Sequence, residues 1–183
     1  MSKIKIVFLV IMMSLFLSKS NAKYEKLAFD FSFNDLDGSE IRLSEFKDKV
    51  LVVTNVASYC GFTSQYEDLQ KIWDKYQNKG LVVIGVPSNS FNQEKETNKE
   101  IKNFCEAKFG ISFLMTEKTI VKGNDAHNFY KWANINYGKS AIPKWNFHKI
   151  IIGKDGKVFD TFGSMTRPTS NKFVKVIEEA LNK

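Results

Sequence analysis

Cysteine and histidine are scarce in this 183-residue chain, two of each, too few for a tetrahedral zinc cluster plus a second site. No Cys-x-x-Cys pair occurs, which argues against an enzyme of dithiol–disulfide exchange. Only three prolines and ten glycines accompany an aromatic content of 14%, a composition that excludes disorder and fibrous repeats. No run of five or six like charges exists, so the basic excess reads as solvated surface rather than as a nucleic-acid stripe. No internal repeat or low-complexity linker interrupts the chain. What is present is 43% hydrophobic residues, enough for one compact domain that needs neither disulfides nor metal to fold.

The first 22 residues stand apart. Lys3 and Lys5 precede an apolar stretch from Ile6 to Leu17, followed by Ser18-Lys19-Ser20-Asn21-Ala22. Charge, apolar run and small residues in that order predict a secretory signal peptide cleaved near Ala22. The run is short of the roughly 20 residues that span a bilayer, although an uncleaved anchor is the alternative reading. The expected mature chain is residues 23–183, exported to a periplasm or secreted, with no membrane span. Three of the 27 basic residues and none of the 20 acidic ones lie in the leader, so the mature formal charge is +4.

Alternation in Ala28–Phe33 and the Asp37-Gly38 turn before Ile41-Arg42-Leu43 predict an N-terminal β-hairpin. Val50–Val56 and Leu81–Val86 are nearly continuous β-branched or aliphatic runs, as in strands buried on both faces. Between them Tyr66, Leu69, Trp73 and Tyr76 recur at helical spacing, with Ser64 and Glu67 as a capping box and Gly80 as the stop. This is a βαβ unit. Further helices are expected over Asn98–Phe109 and Asp125–Tyr137. A hairpin follows, Phe147–Ile152 with Lys157–Phe162, and then a terminal amphipathic helix carrying Phe173, Ile177 and Leu181. The element order is that of an α/β, thioredoxin-like three-layer sandwich with a central mixed sheet and an N-terminal β-hairpin.

Cys60 lies between a buried strand and a helix start, at the strand's carboxyl end, where ligands bind in open α/β sheets. The helix N-terminus favours negative charge, and so a thiolate, by only about 0.3–1 kcal/mol. By itself the position also allows an inert buried cysteine or a structural half-cystine. The surrounding residues favour chemistry. Asn55-Val56-Ala57-Ser58-Tyr59-Cys60-Gly61-Phe62-Thr63, Val83-Ile84-Gly85-Val86-Pro87-Ser88-Asn89-Ser90-Phe91 and Trp145-Asn146-Phe147-His148-Lys149 resemble, in order and spacing, the three motifs of the glutathione peroxidase family.

That resemblance, which extends over nearly the whole mature chain, implies a peroxidase in which Cys60 reduces hydrogen peroxide or organic hydroperoxides. It assigns Trp145 and Asn146 as neutral donors supporting the sulfur. Cys105 resembles the family's resolving cysteine, which would convert a Cys60 sulfenic acid to a disulfide. Its position on the apolar face of a helix implies local unwinding, and a small core hydrophobe is the plain alternative. Ser90 stands where the family has glutamine, in a loop one residue short, with Asn89 and Gln93 as possible substitutes for the amide. No cofactor is implied beyond an external reductant, a thioredoxin-like dithiol protein or glutathione. The short segment between Tyr137 and Trp145 suggests a monomer or weak dimer. A peroxide sensor passing its oxidation to a partner, and a non-catalytic domain with a structural Cys60–Cys105 disulfide, are the rival readings.

Overall fold

The computed structural model describes residues 24–183, and the leader with its cleavage point lies outside them. Val50 and Val52 of β3 (Val50–Val56) point into one core while Leu51 and Val53 point into another. Strand β4 (Leu81–Pro87) divides in the same way, with Leu81 and Val83 on the first side and Val82, Ile84 and Val86 on the second. A period of two with both faces apolar requires cover on both sides, and the chain provides it. Helices α1 (Gln65–Tyr76), α2 (Asn98–Phe109) and α4 (Asn171–Asn182) seal the first core. Helix α3 (Asn128–Tyr137) and the N-terminal segment seal the second.

The central sheet runs β5-β4-β3-β6-β7, where β5 is Leu114–Met115, β6 Lys149–Ile152 and β7 Val158–Phe162. Strands β3, β4 and β5 are parallel, and β6 is antiparallel to both β3 and β7, so the sheet is mixed as expected. The N-terminal hairpin, β1 (Ser32–Asn34) with β2 (Glu40–Arg42), forms a separate two-stranded sheet. Its turn is built by Asp35, whose Oδ1 accepts from the N–H groups of Asp37 and Ser39 at 2.9 and 2.8 Å. Gly38 supplies the left-handed residue at φ +89°.

Four local expectations need correction. Ala28–Asp30 is a single 3₁₀ turn, because Asp30 Oδ2 accepts from the Leu27 N–H at 2.8 Å and bends the chain before β1. The turn packs so closely on Gly156 that a Cβ there would come within 2.8 Å of the Phe29 ring. Helix α3 starts at Asn128, since His127 Nδ1 accepts from the Phe129 N–H at 3.2 Å and caps it. Strand β6 begins two residues late because Phe147 sits at φ +61°, which no extended strand accommodates. The capping box of α1 is absent. Ser64 has helical dihedrals and its side chain caps nothing, because the chain is already turning from Cys60 onward.

Candidate active site

Cys60 follows the end of β3 and enters α1 through successive tight turns. The N–H groups of Thr63, Gln65 and Tyr66 bond to the carbonyls of Cys60, Phe62 and Thr63 at 3.1, 2.9 and 3.0 Å. Those amides are therefore used within the backbone, and the free helix end expected beside the sulfur is largely consumed. The residue is 5% exposed, against 65% for the neighbouring Tyr59. Cys60 thus lies at the rim of the first core with a small opening to solvent. Side chains from elsewhere must complete the site.

One set arrives through Asn55. Its backbone N–H donates to the His148 carbonyl at 3.2 Å, its carbonyl accepts from the Phe147 N–H at 2.6 Å, and its Nδ2 donates to the Trp145 carbonyl at 3.2 Å. Three bonds from one strand residue hold Trp145–His148 against the end of β3. They also over-determine the left-handed Phe147, a conformation costing on the order of 1–3 kcal/mol. Trp145 keeps 42% of its surface exposed, with its ring 5.3 Å from that of Phe91. Asn146 is buried, and its Oδ1 has no hydrogen-bond partner.

Gln93 joins the two halves. Its carbonyl accepts from the Tyr59 N–H at 2.9 Å, one residue before Cys60, while its Oε1 accepts from Asn146 Nδ2 at 2.9 Å. The Gln93 NH₂ remains as a donor and the buried Asn146 Oδ1 as an acceptor. Ser90, at the position of the family's glutamine, is held within the loop. Its hydroxyl accepts from Ser88 Oγ at 3.0 Å and from the Val121 N–H at 3.1 Å, so it staples the loop to the segment before α3. Counting onward from Asn89 to the loop's own glutamine was the available signal for Gln93. Cys105 is on the buried face of α2, 1% exposed, in the same core as Cys60. Both sulfurs are free thiols.

Buried charge surrounds this arrangement. Glu94 Oε1 accepts from the N–H groups of Ser58 and Lys95 at 3.1 and 2.8 Å, pinning the chain two residues before Cys60. Burial raises its carboxyl above the ordinary range, opposed by those N–H donors and the nearby Ser58 hydroxyl. Lys149, fully buried on β6, donates to Gln65 Oε1 and to the Thr166 carbonyl. Burial lowers its amine to about 7, and a neutral amine still supplies both hydrogen bonds. Arg167 and Asp68 pair beside it at 2.7 Å. Together they tie the start of α1 to the loop after β7. Among the described residues, no cluster of His, Cys, Asp and Glu could hold a metal ion.

Burial, then the charges of Lys149 and Lys144, lowers His148 to about 4. An unfolded histidine titrates near 6.5, so the unfolded chain binds the extra proton first as pH falls. Stability that is intact above pH 6.5 should decline down to pH 4 by on the order of 2–3 kcal/mol. Urea midpoints measured across that range should fall in the wild type and fall less in His148→Gln. Parallel curves would show that His148 is not responsible.

A mixed sheet with helices on both faces and a cysteine at the carboxyl edge of its central strand defines the class, a thioredoxin-like thiol protein. A thiol:disulfide interchange protein of Chlorobium tepidum shares the fold alone, with a TM-score of 0.63 at 18% identity over 82% of this chain and 92% of that one. Within that class the chain belongs to the glutathione peroxidase family, whose model, described as "Glutathione peroxidase", matches residues 28–134. The crystal structure of Trgpx in its apo form aligns with a TM-score of 0.69 at 35% identity, covering 87% of this chain and 97% of that chain. The hydroperoxy fatty acid reductase of Synechocystis is 39% identical over 156 residues, 80% of this chain and 92% of the relative. This is a cysteine-type member, a peroxidase that takes a hydroperoxide as oxidant and a thiol as reductant. Among the described residues, no helix is long and apolar enough to cross a membrane.

Proposed function

We propose that the protein reduces hydroperoxides through a two-cysteine cycle. The Cys60 thiolate attacks the terminal oxygen of the hydroperoxide, the O–O bond breaks, and the departing oxygen leaves as water or alcohol after protonation. Cys60 becomes a sulfenic acid. Gln93, Asn146 and the Trp145 indole N–H orient the peroxide and stabilise the charge that develops on its oxygens. Cys105 then attacks the oxidised sulfur, water leaves, and a thioredoxin-like dithiol protein reduces the resulting disulfide. The observation that carries this reading is Gln93, bonded at its backbone to the Cys60 loop and at its side chain to Asn146.

Organic hydroperoxides fit the surroundings. A cavity of about 390 Å³ beside the loop is lined by Lys118, Ile120 and Lys122. The Lys122 ammonium stands 4.1 Å from the centre of the Phe91 ring, which leads on to Trp145. The Lys122 ammonium beside that ring supports an organic hydroperoxide with an acidic group as substrate, in keeping with the name of the Synechocystis relative.

Peroxide loss followed with each reductant in turn tests the cycle. Thioredoxin with its reductase should sustain turnover at least about 10-fold faster than glutathione, because an intramolecular disulfide suits dithiol exchange. With hydrogen peroxide, Gln93→Ala should cost about 10²-fold, the scale of one lost oxyanion donor, while Ser90→Ala stays near wild type. Faster turnover with glutathione would overturn the proposed donor. A larger loss at Ser90 than at Gln93 would overturn the assignment of the amide.

A further inference from the structure

A second hollow, of about 250 Å³, shares Trp145 with the peroxide site, and the cycle above leaves it unused. Three parts of the chain line it: Ser140 in the 3₁₀ turn Lys139–Ala141 after α3, Lys144 and His148 before β6, and Thr161 and Ser164 in and after β7. Each part is anchored. The His148 carbonyl accepts from the Asn55 N–H at 3.2 Å, the Ser164 carbonyl accepts from Gln65 Nε2 at 2.6 Å, and Thr161 pairs with Ile150 across β6 and β7. A hollow built on paired strands and tied loops holds its shape without a ligand.

His148 is 6% exposed, and its Nε2 is buried with no hydrogen-bond partner. Buried polar atoms are rarely left unpaired, so this one calls for a partner the chain does not supply. A neutral imidazole carries one N–H, and with the proton on Nε2 that atom is a donor. The charges acting on the ring are those of Lys149 and Lys144, both positive, and among the described residues no carboxylate lines the hollow. Lys144 is itself exposed, at the opening to solvent. One ammonium, one imidazole and three hydroxyls are more donors than the two oxygens of a carboxylate can use. A phosphate group presents at least three strong acceptor oxygens and a larger negative charge.

We propose that this hollow is a phosphate-binding site, with the His148 imidazole, the Lys144 ammonium and the hydroxyls of Ser140, Thr161 and Ser164 as its donors, for phosphate free in solution or carried by a larger molecule. The bound group pairs with the orphaned nitrogen and offsets the positive charge of both lysines. Trp145 is the wall it shares with the peroxide site. Binding involves no covalent step, and it stands whether or not Cys105 resolves the oxidised sulfur.

The chain has two histidines, so two imidazole proton resonances report on the site, and the one lost in His148→Gln belongs to His148. Inorganic phosphate, added to the reduced protein at constant ionic strength, should move the His148 resonance saturably at millimolar concentration. That of His127, stacked on Phe33 at 4.3 Å, should stay in place. At saturation His148 should titrate about 1 pH unit higher, since an adjacent anion favours the imidazolium. Lys144→Gln, at an exposed position, should weaken phosphate binding about 10-fold, and Lys144→Arg should keep it. Acetate should bind more weakly than phosphate. Glycerol phosphate separates the two sources: binding as tight as that of the inorganic ion, or tighter, assigns the site to a carried phosphate, and weaker binding assigns it to the free ion. A His148 resonance that moves no further with phosphate than with chloride would overturn the site. Tighter binding of acetate, or an unchanged phosphate affinity in Lys144→Gln, would do the same.

Discussion

Replacing Cys60 with serine should abolish peroxide reduction, lowering the rate by at least about 10³-fold. A serine hydroxyl stays protonated at any pH at which the fold survives, and its oxygen cannot accept an oxygen atom from a peroxide. The substitution is nearly isosteric at a site with 5% exposure, and leaving one hydroxyl there costs about 1–3 kcal/mol at most. Loss of activity without loss of fold is the expected pair of results, read by peroxide consumption and thermal unfolding. Appreciable turnover in Cys60→Ser would move the chemistry to another residue. A collapse of stability would favour a structural role for the sulfur.

Cys105→Ser should separate the two halves of the cycle. The first half needs only Cys60 and its polar neighbours, so one equivalent of peroxide should be consumed and the sulfenic acid should persist. Turnover supported by thioredoxin should drop by about 10²-fold or more, because no intramolecular disulfide forms for a dithiol to reduce. Cys105 lies on the buried face of α2, whose ends are well made. Thr97 accepts from the Glu100 N–H at 3.2 Å, and Gly110 closes the helix at φ +58°. In the proposed cycle part of that helix opens for the sulfur to reach Cys60, a subglobal opening of the kind folded proteins undergo. Unchanged thioredoxin-supported turnover in Cys105→Ser would leave the residue as a core hydrophobe.

What the sequence discloses follows from the range of the physics involved. Val50–Val56 and Leu81–Val86 are legible because an unbroken apolar run has few other homes, and Asn98–Phe109 because its apolar face repeats locally. Strand β5 has only two residues, too few for any period to show. The strand expected at Ala28 fails because one side-chain bond from Asp30 to Leu27 outweighs a short alternation. Cys60, Trp145 and Asn146 are visible through motifs whose letters carry the chemistry. Gln93 is less visible, because its role depends on the path of a shortened loop and on two bonds to distant segments. Tyr66 reads simply as one apolar contact on an amphipathic helix. Only the fold shows that its hydroxyl is buried without a hydrogen-bond partner.

The second-order rate of the reduced protein with hydrogen peroxide at pH 7, set beside that of free cysteine and paired with the location of the added oxygen, tests the central claim most directly. The account predicts a reaction at least about 10³-fold faster than the free amino acid, as preorganised donors at a reacting centre allow, with the oxygen on Cys60. A rate equal to that of free cysteine, or oxidation that begins at Cys105, would contradict it.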